Sequence, residues 1–200
     1  MAKLDLYRKF CREYLARRTP RLIATGPAKY LAISGRGSPK SAAFTGAVGA
    51  LYGVAFTIKM ARKFAGKDYA VAKLEGLWWG GVRGRLIIDS PASTWRWQLL
   101  IRVPAFIGAR DRAAALRTLA RRGKGPLVRR VKLITLREGR VVQMLHVGSY
   151  DREHPTLRAM HDLARAEGLR PAGRHHEIYL SDPRRIPAAR LRTILRQPVR

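Results

Sequence analysis

The sequence predicts an α+β protein made of two pseudo-symmetric strand-helix-strand-strand modules with a ligand cleft between them. Three observations carry that reading. Strand-like and helix-like patterns follow one another in the same order in each half of the 200 residues. A glycine, Gly35 or Gly148, ends the first strand of each half just before its helix. A glutamate, Glu75 or Glu177, lies inside the apolar strand after each helix, in a chain with only 13 acidic residues against 41 basic ones.

The elements can be justified in order. "KYLAISGRG" alternates as a strand and ends in glycines. "SAAFTGAVGALYGVAFTI", 41–58, carries no charge and just reaches the length at which a membrane span must be weighed. Its Ser, Thr and Gly content and the stripe Phe44, Val48, Leu51, Ala55, Ile58 favour a core helix instead. Gly46, Gly49 and Gly53 would let this helix lie close to a sheet, and Lys59, Arg62 and Lys63 suit its C-terminal end. "YAVAKLEGLWW" and "TWRWQLLIRV" follow as strands, the second with Trp95, Trp97, Leu99 and Ile101 on one face. A loop rich in Gly, Arg, Ser and Pro separates them.

"DRAAALRTLARRGKGP" reads as a connecting helix, with Asp111 near its start and Gly123 and Pro126 beyond its end. "LVRRVKLITL" and "RVVQMLHVGSY" are strands joined through Glu138-Gly139. "HPTLRAMHDLARAEGL" is a helix with Pro155 in its first turn, Gly168 at its end and the stripe Leu157, Met160, Ala164. "RHHEIYL" and "RLRTILRQPV" complete the second set of strands. The chain thus divides into a first module over about 28–104, a helix over about 109–122 and a second module over about 127–200, within one domain spanning 1–200.

Composition narrows the function classes. Hydrophobic residues make up 46%, enough for a packed core. The lone Cys11 forms no internal disulfide, and the charged N-terminus has no apolar signal core; both suit a reducing cytoplasm. The net charge of +28 predicts salt-sensitive attraction to nucleic acid. Those charges are scattered, with no recognition helix or aromatic-basic motif, so the expectation is nonspecific DNA association at most. No membrane partner is expected.

At the level of sites, Ser149, Ser181 and Cys11 lack a nucleophile elbow, and "SGRGSP" lacks the lysine-hydroxyl ending of a phosphate loop. His175 and His176 form no metal pattern with Cys11 or a nearby acid, so neither a metal nor any other cofactor is expected. His146, His154 and His161 read as structural or exposed. Alternation puts His175, Glu177 and Tyr179 on one strand face and Glu75, Leu77 and Trp79 on one face of another. Trp78 and Trp79 point to opposite faces, and Trp95 reads as core.

"KYLAISGRGSP", "DYAVAKLEGLWW", "QMLHVGSYDREHPTLRAMHD" and "HHEIYLSDPRR…LRTILRQPV" together resemble the GyrI-like small-molecule-binding family, and within it the stand-alone subfamily that includes cyclopropanoid cyclopropyl hydrolases. The resemblance runs from about Leu4 to Val199. It implies a cleft that binds planar aromatic or cationic xenobiotics. For the hydrolases it further implies water-mediated opening of the cyclopropane of yatakemycin-type DNA alkylators inside an aromatic cage, giving resistance. Carried onto this sequence, the cage residues are Trp78, Trp79, Trp97, Tyr150 and Tyr179, and Glu177 is the carboxylate.

The residues can support that chemistry. Aromatic rings hold a flat conjugated ligand by stacking. A carboxylate among them, Glu177, serves as general base toward water, and Tyr150 is one group able to donate to the oxygen on which charge appears. Glu75 and His175 complete the expected ligand contacts. The runner-up is a binder that sequesters a drug without chemistry, and a third reading is a basic DNA-associated protein.

Overall fold

The computed structural model describes residues 3–80 and 89–200. The Gly- and Arg-rich loop expected after Trp79 falls largely on 81–88, outside the described residues. Two short N-terminal helices, α1 (Leu6–Lys9) and α2 (Cys11–Tyr14), precede β1 (Arg21–Thr25) and β2 (Ala28–Arg36). A long helix α3 (Ala42–Phe64), β3 (Leu74–Gly80), β4 (Trp95–Val103) and α4 (Ala109–Arg121) complete the first half. The second half runs through β5 (Lys132–Leu136), β6 (Gly139–Val147), α5 (His154–Ala166), β7 (His175–Tyr179) and β8 (Arg192–Pro198).

The eight strands among the described residues form one antiparallel sheet in the order β1-β6-β8-β7-β3-β4-β2-β5. Its symmetry is plain in that order. β2, β4 and β3 lie on one side and β6, β8 and β7 on the other, and the two halves meet where β3 pairs with β7. The outermost strands are exchanged: β1 pairs with β6 of the second half, and β5 with β2 of the first. The repeat legible in the sequence is therefore closed by two strands that each half lends to the other.

One face of the sheet carries the helices. Ala47, Ala50, Leu51, Val54, Ala55 and Ile58 of α3 pack on Leu31, Ile33, Trp97, Leu99 and Ile101. Phe44 and Val48 extend the same stripe at lower burial. By length and composition α3 could also cross a membrane; in the structure its apolar stripe is spent on this core. Gly46, Gly49 and Gly53 do not approach the sheet as expected. They line a groove with Leu119 and 124–128, where a Cβ on Gly46 would meet Leu127 at 3.0 Å. Asp111 joins α4 to α3 by pairing with Arg62 at 2.6 Å while accepting from the Gly108 N–H at 2.9 Å. Over the second half, Leu157, Met160 and Ala164 of α5 pack on Val142, Leu195 and Val199.

The expected and observed roles of Trp95 and Trp97 differ. Trp97, expected to line the cleft, is a core residue with 2% exposure, lying across Gly35 and edge-on to Phe44. Trp95, expected in the core, is only half-buried; its Nε1 donates to the Ser90 carbonyl at 2.9 Å and its ring meets Trp78 edge-on. Both lie on one sheet face, but Trp97 is opposite Gly35, whose missing side chain makes room for an indole. A Cβ on Gly35 would collide with that ring. Gly35→Ala is therefore expected to lower unfolding free energy by about 1–3 kcal/mol, the usual range for overpacking. Urea unfolding should also find the loss smaller in Gly35→Ala/Trp97→Phe than in the single Gly35→Ala variant.

Candidate functional site

The functional geometry begins at the central strand pair. Gly76 lies opposite Glu177 and Trp78 opposite His175, so these four share the helix-bearing face. Gly76 has no side chain, and a Cβ there would meet both Trp78 Nε1 and the Tyr179 hydroxyl at 2.9 Å. The vacant space lets the Trp78 indole N–H donate to the Tyr179 hydroxyl at 3.0 Å. Burial, with the Glu177 charge nearby, holds the Tyr179 phenol well above its ordinary pKa. Tyr150 meets Tyr179 edge-on at 5.9 Å, and Phe44 stacks on Trp78 at 5.8 Å.

Glu177 is 9% exposed and lies 3.6 Å from Nε2 of His175. Glu153 comes in from the start of α5 and is 1% exposed. Burial first, and the Glu177 charge second, raise its pKa well above the usual carboxyl value. Its Oε1 has no hydrogen-bond partner among the described residues, nor has Nε2 of His175. Tyr150 is pushed up to about 12 by burial and by Glu177, Glu153 and Asp182, which leaves it a donor at neutral pH. One donor atom from each of Glu153, His175 and Glu177 lies within 4.8 Å of the others, a set able to hold a divalent cation. The expectation that His175 forms no metal pattern with a nearby acid thus fails, because Glu177, two residues on, and Glu153, distant in sequence, both converge on it.

His146 holds the segment carrying Tyr150 and Glu153. Its Nε2 lies 3.1 Å from the Ser149 carbonyl, which can only accept, and its Nδ1 lies 3.0 Å from the Thr156 hydroxyl. Sequence reasoning missed Glu153. It sits in "SYDREHP", a polar turn like many solvated ones, and nothing local marks its burial.

The other named residues face away. Register places Glu75 opposite Ile178 and Leu77 opposite His176, on the sheet face without α3 and α5. Glu75 therefore does not share a cleft with Glu177, contrary to expectation. It accepts from His176 Nε2 at 2.9 Å and from the Tyr14 hydroxyl at 3.2 Å. Trp79 is on this face too, under the Arg174 guanidinium at 3.8 Å, and so lies apart from the Glu177 cluster. Of the expected site residues, the structure gathers Glu177, His175, Tyr179, Trp78 and Tyr150, and leaves out Glu75, Trp79 and Trp97.

Glu75 belongs to a buried ionic clamp. His176, with no exposure, has Nε2 at 2.9 Å from Glu75 and Nδ1 at 3.0 Å from Glu138. Carboxylates only accept, so both nitrogens carry protons and the ring is an imidazolium. Desolvation opposes this charge, but the two carboxylates outweigh it and raise the pKa to about 9. Glu138 is lowered to about 2 despite its burial, by His176 and Arg196. Arg196 pairs with Glu138 at 3.2 Å and donates to the Glu13 carbonyl at 2.7 Å, which ties the N-terminal helices to the sheet.

The comparisons agree with this architecture. The GyrI-like small molecule binding domain matches residues 110–200. A conserved protein from Listeria innocua is 35% identical, with a TM-score of 0.90 over 99% of this chain and 100% of its own. A second Listeria innocua protein, described as a hydrolase, is 33% identical, with a TM-score of 0.90 over the whole of both chains. This chain belongs to the GyrI-like family. More distantly, the C-terminal domain of EcmrR shares the fold at 10% identity and a TM-score of 0.57, over 91% of this chain and 97% of its own. No curated protein matches the chain.

In this GyrI-like protein the clamp makes stability depend on pH. An unfolded histidine titrates near ~6.5, so the raised folded value stabilises in full below that pH and is lost as pH rises through about 9. The urea midpoint is expected to fall between pH 7 and 9.5, and the fall should be markedly shallower in Glu138→Gln.

Proposed function

We propose that the protein is a hydrolase that opens the cyclopropane ring of a planar, cyclopropanoid DNA-alkylating xenobiotic, with Glu177 as the base that activates water. One observation carries this reading: the nearly buried Glu177 carboxylate stands among aromatic rings beside a second buried carboxyl, that of Glu153. The similarity to a protein described as a hydrolase supports the reaction class. The family's small-molecule domain supports the ligand class.

The chemistry follows from the groups present. Trp78 and Tyr179, joined by their hydrogen bond, form a rigid aromatic wall for a flat conjugated ligand. The water oxygen attacks the ring CH2 as Glu177 takes the water proton. The strained C–C bond breaks, and its electrons pass through the conjugated system to the carbonyl oxygen, which becomes a phenolate. Tyr150 donates a hydrogen bond to that oxygen, since its phenol, pushed up to about 12, holds its proton at neutral pH. Proton return from Glu177 leaves a phenol, so the net change is addition of one water.

The test is incubation of the purified protein with a cyclopropanoid drug, followed by mass. Repeated turnover with gain of one water is the expected result; a stoichiometric complex with unchanged drug would leave a sequestering protein instead. Glu177→Gln should slow turnover roughly a hundredfold or more while changing ligand affinity less than about tenfold, or ~1.4 kcal/mol. Wild-type turnover in that variant would remove Glu177 from the mechanism.

A further inference from the structure

We propose that the sheet face turned away from Glu177 binds single-stranded nucleic acid through a row of unpaired cations beside Trp79. Arg36 of β2 lies directly opposite Arg96 of β4, and Arg96 directly opposite Trp79 of β3, so the three side chains form one row on one face. Like charges placed opposite each other across strands destabilise a sheet unless an anion lies between them. Both arginines are exposed. No ion pair among the described residues includes either of them, or Arg130, Lys132 or Arg174 nearby. The segment 81–88 that follows β3 contains no acidic residue to supply a partner.

The surrounding surface is shaped for phosphates. A hollow of about 260 Å³ is lined by Ala32, Ser34, Gln98, Arg130 and Lys132. Gln98 donates to the Ser34 hydroxyl at 3.0 Å, and Arg130 donates to the Ser34 carbonyl at 3.0 Å, which fixes the guanidinium at the rim. The aromatic component decides between strand types. Arg174 lies 3.8 Å over the half-buried Trp79 ring, so the row ends in a π surface carrying a cation. A single strand offers bases to such a surface as well as phosphates to the arginines, whereas a duplex keeps its base faces stacked inside. The overall charge of +28 supplies long-range attraction, and this row gives it a place to act.

The test uses a fluorescein-labelled twelve-residue oligo(dT), titrated with the full chain and read by anisotropy at ~50 and ~200 mM salt. Binding at the lower salt is expected, weakening as salt rises. Arg36→Ala/Arg96→Ala should lose at least tenfold in affinity and flatten the log–log salt slope by about 1.4, or ~0.7 per phosphate contact. Trp79→Ala should lose roughly tenfold with its salt slope unchanged. Arg117→Ala/Arg121→Ala removes the same charge from the exposed side of α4 and should lose less than threefold. Equal loss in the two arginine pairs, no binding at the lower salt, no effect of Trp79→Ala, or tighter binding of a duplex of the same length would each overturn the proposal. Binding should be unchanged in Glu177→Gln, so this test stands or falls independently of hydrolysis.

Discussion

The pairing of β3 with β7 is the constraint on which the rest depends. Side chains alternate along a strand, so three consecutive residues of β7 do two different jobs. His176 points to one face and is held between Glu75 and Glu138; His175 and Glu177 point to the other and enter the aromatic site. A slip of one residue would reverse all three. A buried ion is costly unless its partners are well placed, and here each ring nitrogen meets a carboxylate. The same clamp therefore selects the register that aims Glu177.

The site itself is shared between the repeats. The first half gives Trp78 and Phe44, the second gives Glu177, Tyr179 and His175, and the 149–153 turn adds Tyr150 and Glu153 under the control of His146. No single element holds the arrangement. The exchanged outer strands matter for that reason: with β1 on β6 and β5 on β2, each half is tied to the other at its far edge as well as at the centre. The sheet then serves as one platform, with the Glu177 cluster on the helical face and the Arg36–Arg96 row on the opposite one.

What was legible in the sequence follows from how locally each feature is encoded. The repeat was legible because strand and helix periods are local, and Glu177 because an acid inside "HHEIYL" conflicts with its apolar setting. The side of the sheet taken by Glu75 was not, since it depends on register with β7, a hundred residues away. Glu153 and Glu138 were hidden in polar turns that look solvated, yet both are almost wholly enclosed by distant elements. Trp95 and Trp97 are equivalent by period and each has a glycine opposite, but only the Trp97 ring lies over its glycine, Gly35. β1 escaped notice because "RLIAT" has no alternation and gains its place only by pairing with β6.

A crystal structure with a slowly reacting planar cyclopropanoid analogue would test the central claim most directly. The account predicts the conjugated rings against Trp78 and Tyr179, with a water held between the Glu177 carboxylate and the strained carbon. A ligand seated elsewhere, or one whose strained carbon is out of reach of any water on Glu177, would contradict it.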